Sequence, residues 1–359
     1  MKKVKTKGGE DMKRCFCVLL CTVLLLTALV GCRAPVREPE VQNEVYYEYF
    51  GTVSAVFSYA GDAPEEFGER CERIRRRLEY YHRLFDIYYE YSGVTNLCTV
   101  NKNAGKGPLK VDAALIDFLL YAKEMHTLTN GKMNIAMGAP LKLWHDCRES
   151  AEGGEGELPD EEALSEAYLH TDIDDIVLDR EASTVQITDT ALRIDVGALG
   201  KGYAVEMITG ELRSEGLDAY VLNIGGNISA IGRKTTGEGW LTGITNPDRS
   251  SSESFACRIT IADTSLVTSG NYERFYTVGG VRYHHIIDPL TRLPAAYFAS
   301  VSILTRDSAL ADALSTALFC MSEADGRALV ATLGGVEVLW IYEDGRLSMT
   351  DGFSALLVE

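Results

Sequence analysis

Apolar positions along the chain fall into a few distinct rhythms. Cys15–Val30 is almost wholly apolar. From Tyr46 to Tyr59, β-branched and aromatic residues alternate with polar ones, which predicts a strand interrupted at Gly51. Helices are predicted over Glu65–Phe85 and Asp112–Leu128; in the second, Leu115, Leu119, Ala122 and Met125 stand near helical spacing. Glu149–Asp160 is a Gly/Glu-rich loop and the expected internal boundary or insertion. Ile176–Ile187 predicts a strand pair around Asp179–Ser183, followed by short strands and glycine turns to about Pro294. A strand at Ser300–Leu304, a helix at Asp307–Met321 and a strand pair around Gly345 complete the pattern. Strands and helices mix without regular βαβ alternation, so the expected class is α+β, with mixed sheets packed against helices.

Length and charge narrow this picture. At 359 residues the chain exceeds the ~250–300 at which one core usually stops growing, so two lobes or a large single domain are expected. The formal charge of −17 argues against an electrostatic nucleic-acid binder. The first 31 residues run the other way, with Lys2, Lys3, Lys5, Lys7, Lys13 and Arg14 against Glu10 and Asp11. A basic start, an apolar run too short to span a bilayer and a small residue at its end describe a secretory signal. Met12 offers an alternative start, and an uncleaved anchor is the rival reading. The end, Leu29-Val30-Gly31-Cys32, resembles the lipobox of bacterial lipoproteins. That resemblance implies Cys32 as the lipid-modified first residue of an exported, membrane-tethered protein. Residues 1–31 are then the signal, 32–45 a proline-bearing linker and 46–359 the folded body. With the leader removed and Cys32 acylated, five cysteines remain at spacings that suggest neither a metal site nor a disulfide framework.

Three glycine-bearing segments carry candidate chemistry. In Arg193–Glu206, an apolar strand is expected to end at Asp195. Gly197, Gly200 and Gly202 crowd the turn, and a helix-like run starts near Tyr203. A strand, glycine turn and helix bring bare N–H groups to a phosphate, and Lys201 would add a mobile charge. A tight structural turn with a surface lysine fits the same residues. Tyr220–Pro247 places Asn223 and Gly225-Gly226-Asn227 between two apolar strands, which locally favours a plain hairpin. Leu266–Pro294 contains a hairpin signal at Gly279-Gly280, then His284-His285-Ile286-Ile287-Asp288-Pro289. The two histidines face opposite sides of a strand, so one of them is either a base at a strand end or a structural residue. In Asp307–Met321, Asp312 and Thr316 stand one turn apart, opposite the face of Leu310, Leu314, Ala317 and Leu318. Their hard oxygens suit Mg²⁺, which also draws on substrate phosphates; a solvent-facing side is the alternative.

Taken in order, these segments resemble the ApbE family of FAD:protein FMN transferases, over nearly the whole mature chain. The elements that carry the likeness are Phe50-Gly51-Thr52, Asn96–Asn101, Asn130–Trp144, Asp195–Tyr203, Leu222–Asn227, Val267–Tyr272, His285–Pro289 and Ala311–Ala317. The resemblance implies two lobes around a flavin and Mg²⁺ site, with FAD as substrate, FMN passed to a client Thr or Ser hydroxyl, and AMP released. It further implies that Asp195 and Lys201 contact FAD, and that Phe50, Tyr88, Lys132, Met133, Asn134 and Ile287 cover the flavin. Ala198 (through its carbonyl), Asp312 and Thr316 would hold Mg²⁺, with His285 positioning or deprotonating the client hydroxyl and Asp288 orienting the site. The chain departs from the family pattern at Phe50 (usually Met), Met133-Asn134 (commonly Phe-Asp), Arg292 (Gly) and Ser315 (Ala). Two other readings stay open: Mg²⁺-dependent hydrolysis of FAD, and a lipid-anchored flavin-binding protein without turnover.

Overall fold

The computed structural model describes residues 40–152 and 154–358. The signal, Cys32 and most of the linker therefore lie outside the described residues. Glu40–Glu359 forms one compact unit rather than two lobes.

The chain opens with β1 (Gln42–Tyr46) and β2 (Ser54–Ser58), paired antiparallel from Gln42↔Ser58 to Tyr46↔Ser54. The linker is thus shorter than the sequence suggested, because its last residues join the sheet. α1 (Pro64–Phe85) and the short α2 (Leu97–Lys102) follow, then β3 (Leu109–Lys110) and α3 (Ala113–Leu128), which Asp112 caps. α4 (Gly138–Ser150) and α5 (Glu161–Ala167) lead into β4 (Ile176–Asp179) and β5 (Thr184–Ile187). α6 (Gly200–Ser214) precedes the hairpin of β6 (Tyr220–Ile224) and β7 (Asn227–Ile231). Next come β8 (Trp240–Thr245), β9 (Phe255–Ile261) and β10 (Ser265–Gly270). A second hairpin, β11 (Phe275–Val278) and β12 (Val281–His284), leads to β13 (Ser300–Thr305) and α7 (Ser308–Phe319). α8 (Glu323–Val330), β14 (Glu337–Ile341), β15 (Leu347–Met349), α9 (Asp351–Ser354) and β16 (Leu357–Val358) close the chain.

Eight strands form the central sheet, in the order β1-β2-β6-β7-β10-β13-β14-β15, antiparallel throughout. Its inner strands are apolar on both sides because both faces are covered. Tyr220, Leu222, Val301, Ile303 and Trp340 face the large cluster built with the helices. Val221, Leu266, Leu304 and Leu339 pack instead on Trp240, Ile244 and Ile259 of the small β16-β9-β8 sheet. A third cluster joins Trp144 of α4 to Tyr276 and Ile287 beside the β11-β12 hairpin.

α7 runs through the middle of the helical layer and touches α6, β10 and β13. Ten of its twelve residues are buried, Asp312 and Ser315 among them. Asp312 therefore does not face solvent, since α6 and the sheet pack on either side of the helix, whereas Thr316 is half-buried. Gly202 allows this approach. A Cβ there would lie 2.3 Å from Asp312 Cβ and 2.5 Å from the Ser308 carbonyl oxygen, so any side chain would force the helices apart.

Candidate active site

The site grows out of the crossing of α6 and α7. α6 begins at Gly200, earlier than the sequence suggested, so Lys201 and Gly202 lie in its first turn. The Gly202 N–H donates to Asp312 Oδ2 at 2.7 Å. In a regular helix it would bond the Ala198 carbonyl. That carbonyl accepts no backbone hydrogen bond among the described residues. Asp312 is 5% exposed and forms no ion pair among the described residues. Burial pushes its carboxyl above the usual range, opposed by the Lys201 charge, the Gly202 bond and the Asn227 amide. One turn on, Thr316 Oγ1 lies 3.4 Å from Ser269 Oγ, which sits 2.8 Å from Ser315 Oγ. Ser315 in turn donates to the Asp312 carbonyl at 3.0 Å, so its hydroxyl serves the packing.

This arrangement meets the requirements of a hard cation. The helix crossing offers a buried carboxylate without an ion pair, a hydroxyl one turn further on and a carbonyl without a backbone partner, and such oxygens suit Mg²⁺ when substrate phosphates complete the shell. No group of three His, Cys, Asp or Glu side chains stands ready for a metal among the described residues, so softer, protein-only coordination is not built here.

Asp195 and Lys201 link this half of the site to the other. Asp195 Oδ1 accepts the Gly197 N–H at 2.8 Å, and Lys201 Nζ lies 3.4 Å from the Gly197 carbonyl oxygen. Burial raises the Asp195 carboxyl; the Gly197 bond and nearby His145, Lys201 and Arg274 act against that. The Lys201 charge opposes the upward shift of both Asp195 and Asp312.

His285 follows directly after β12 and is half-buried. Its backbone N–H donates to the Arg274 carbonyl at 3.1 Å, and its Nδ1 lies 3.3 Å from the same oxygen. With Nδ1–H turned to that carbonyl, Nε2 carries the free lone pair. Burial, then the charges of Arg274, His284 and Arg148, push the imidazole down to about 3, so the ring is neutral near pH 7. Tyr88, 62% exposed, lies beside this half with its ring centroid 6.0 Å from that of His145. Asp86 Oδ1 fixes the Tyr88 turn by accepting its N–H at 2.7 Å.

Other expected residues have different roles. Both Asp288 oxygens accept from Lys132 Nζ, at 2.8 and 3.0 Å, and Oδ1 also takes the Leu290 N–H at 2.9 Å. Asp288 therefore does not orient His285; it neutralises Lys132 and holds the following turn. Lys132 in turn has its charge spent on that pair. Met133 is a core residue at 1% exposure. Asn134 braces its own loop, donating to the Thr171 carbonyl at 3.0 Å and accepting the Ala136 N–H at 2.9 Å. Ile287 fills the third core cluster with Trp144 and Tyr276. Phe50 holds a left-handed backbone, φ 56°, with its N–H on His82 Nδ1 at 3.3 Å and its ring edge-on to that imidazole. A surface pocket between Lys123, His126, Asn130 and Asp174 contains none of the candidate residues.

The sequence reading missed three cationic or ionisable neighbours: His145, Arg148 and Arg274. Arg148 Nη2 lies 2.6 Å from His145 Nδ1, an i,i+3 pair on α4. That spacing was the one available signal, and it is weak.

With this geometry in place, likeness to known proteins becomes informative. The profile of the ApbE family matches residues 50–340. The chain belongs to the ApbE family. It is 33% identical to an FAD:protein FMN transferase of Treponema pallidum, over 93% of this chain and 92% of that protein. A Vibrio cholerae protein of the same name is 27% identical, covering 94% of each. Among solved ApbE structures, that of Thermotoga maritima superposes with TM-score 0.77 at 26% identity, covering 89% of this chain and 100% of the other. The Vibrio cholerae flavin transferase ApbE superposes with TM-score 0.72 at 25% identity, with the same coverage.

If the Lys132–Asp288 pair is structural, Lys132→Met leaves a carboxylate of 2% side-chain exposure unpaired and lowers stability by about 3 kcal/mol. Adding Asp288→Asn should recover most of that loss in urea unfolding. Unchanged stability with lost FAD affinity would instead make Lys132 a flavin ligand.

Proposed function

We propose that this ApbE-family chain transfers FMN from FAD to a Thr or Ser hydroxyl of a client protein and releases AMP. The carrying observation is the buried Asp312, without an ion pair among the described residues, held by the Gly202 N–H in the first turn of α6, next to Lys201. A doubly negative diphosphate is a poor guest for a chain of net charge −17 unless local positive charge receives it. Lys201 and the start of α6 supply part of that charge. Asp312, Thr316 and the Ala198 carbonyl would hold Mg²⁺, which supplies charge neutralisation on the diphosphate when bound.

The remaining chemistry belongs to the side chains. Neutral His285 accepts the client hydroxyl proton at Nε2 while its Nδ1–H stays on the Arg274 carbonyl. The client oxygen then bonds to the flavin-side phosphorus, the bond from that phosphorus to the AMP oxygen breaks, and AMP leaves with the electron pair. Tyr88, held by Asp86, offers an exposed ring for the flavin at the rim.

A body lacking residues 1–32, incubated with FAD, Mg²⁺ and a candidate client, tests the reading. Covalent FMN on the client, with one AMP per FMN, is the expected result. Free FMN and AMP without a labelled client would favour hydrolysis; intact bound FAD would favour a carrier.

The same proposal places the enzyme outside the cytoplasm, tethered through Cys32. The lipobox-like Leu29-Val30-Gly31-Cys32 supports this. Labelled palmitate should enter the wild-type chain and be lost in Cys32→Ala. Equal labelling of both would contradict the tether.

A further inference from the structure

Arg274 stands immediately before β11, across the hairpin from His285. Its carbonyl holds both the His285 N–H and, at 3.3 Å, Nδ1, so the hairpin fixes the two residues side by side. Neighbouring arginines are all occupied. Arg249 bonds Glu273 at 3.0 Å, Arg282 lies over the Phe275 ring at 4.5 Å and Arg292 over the Tyr168 ring at 4.9 Å. Arg148 is taken up by His145 at 2.6 Å. The Arg274 guanidinium alone in this group has no side-chain or backbone partner among the described residues. Its charge nonetheless acts on Asp195, Tyr88 and His285. The groups acting on Asp312 include Lys201 and not Arg274. Positive charge thus comes from two places: Lys201 in the first turn of α6, beside the Gly202–Asp312 contact, and the exposed Arg274 opposite His285 at the foot of the hairpin.

An arginine fork matches a phosphoryl group with two parallel donors, and its charge counts most where the transferring group spreads charge over its outer oxygens. Building on the transfer reaction above, we propose that Arg274 is a further catalytic residue, whose guanidinium holds the non-bridging oxygens of the flavin-side phosphoryl group during transfer. Client oxygen to phosphorus is the bond that forms, and phosphorus to the AMP oxygen is the bond that breaks. The proton goes to His285, and the electron pair leaves with AMP. Arg274 exchanges no proton.

The test measures AMP release from FAD by the full chain in the presence of Mg²⁺ and a client that the wild-type chain labels with FMN, with FAD affinity followed by flavin fluorescence. Arg274→Ala should lower kcat by about 10²–10³-fold while the FAD Kd stays within about threefold. Arg274→Lys should recover only part, since a point charge lacks the fork. Added guanidinium ion should restore turnover in Arg274→Ala and leave wild type unchanged, an effect no merely structural role produces. An unchanged kcat, a loss confined to Kd, or a loss that guanidinium does not relieve would overturn the assignment. Absence of AMP release from the wild-type chain would instead overturn the transfer reaction itself, and this assignment with it.

Discussion

A buried carboxylate held against a bare helix backbone is the constraint from which the rest of this structure follows. Asp312 can sit between α6 and α7 only because residue 202 has no side chain, and it can stay ionised there only with help. One backbone N–H and a nearby lysine are modest compensation for a carboxylate 5% exposed. An incompletely compensated buried charge lowers stability, and such sites persist where a ligand completes them. On the proposed reading, a cation would be that ligand here. The same crossing frees the Ala198 carbonyl by diverting the Gly202 N–H, so one contact creates two oxygen donors. The sheet fixes a third, because β10 brings Ser269 up to Thr316.

Charge is arranged unevenly around that crossing. The helix surfaces carry many ion pairs, such as Arg75 with Glu72 and Arg327 with Glu323, which contribute little individually in water. Lys201 and Arg274 stand apart from these pairings in a chain whose acids outnumber its bases. Cations without an ion pair attract anionic substrate to their neighbourhood even in an acidic protein. Burial and positive neighbours keep His285 neutral, so its Nε2 lone pair is free, at the cost of a lowered proton affinity.

Much of the architecture was legible in the sequence, for reasons that also explain the gaps. Helices α1 and α3 and the strands β4 and β5 announce themselves because their apolar periods match one buried face. α4 did not, since Gly138 and Pro140 obscure its start; Pro140 falls in the first turn, where a missing N–H costs little. β1 is a sheet edge with three of its five residues exposed, so it shows no alternation. For the candidate site, the glycine turn marks Lys201 and the end of the strand at Asp195, helical spacing marks Asp312 and Thr316, and Ala198 came only from the family resemblance. Lys132, Asp288, Met133, Asn134 and Ile287 sit in equally marked segments, yet their side chains support the fold. His145, Arg148 and Arg274 come from a helix and a hairpin distant in sequence, and only tertiary packing brings them together.

The central claim, that Asp312 brings a divalent cation to the FAD diphosphate, has a direct measurement that does not depend on turnover. Mn²⁺ in place of Mg²⁺ broadens the ³¹P resonances of any diphosphate it touches. With FAD bound to the wild-type chain, both phosphorus lines should broaden at low Mn²⁺. Asp312→Asn preserves an acceptor for the Gly202 N–H but removes the charge, and should require about 10–100-fold more Mn²⁺ for the same effect. Equal broadening in the two proteins, with FAD equally bound, would contradict the account.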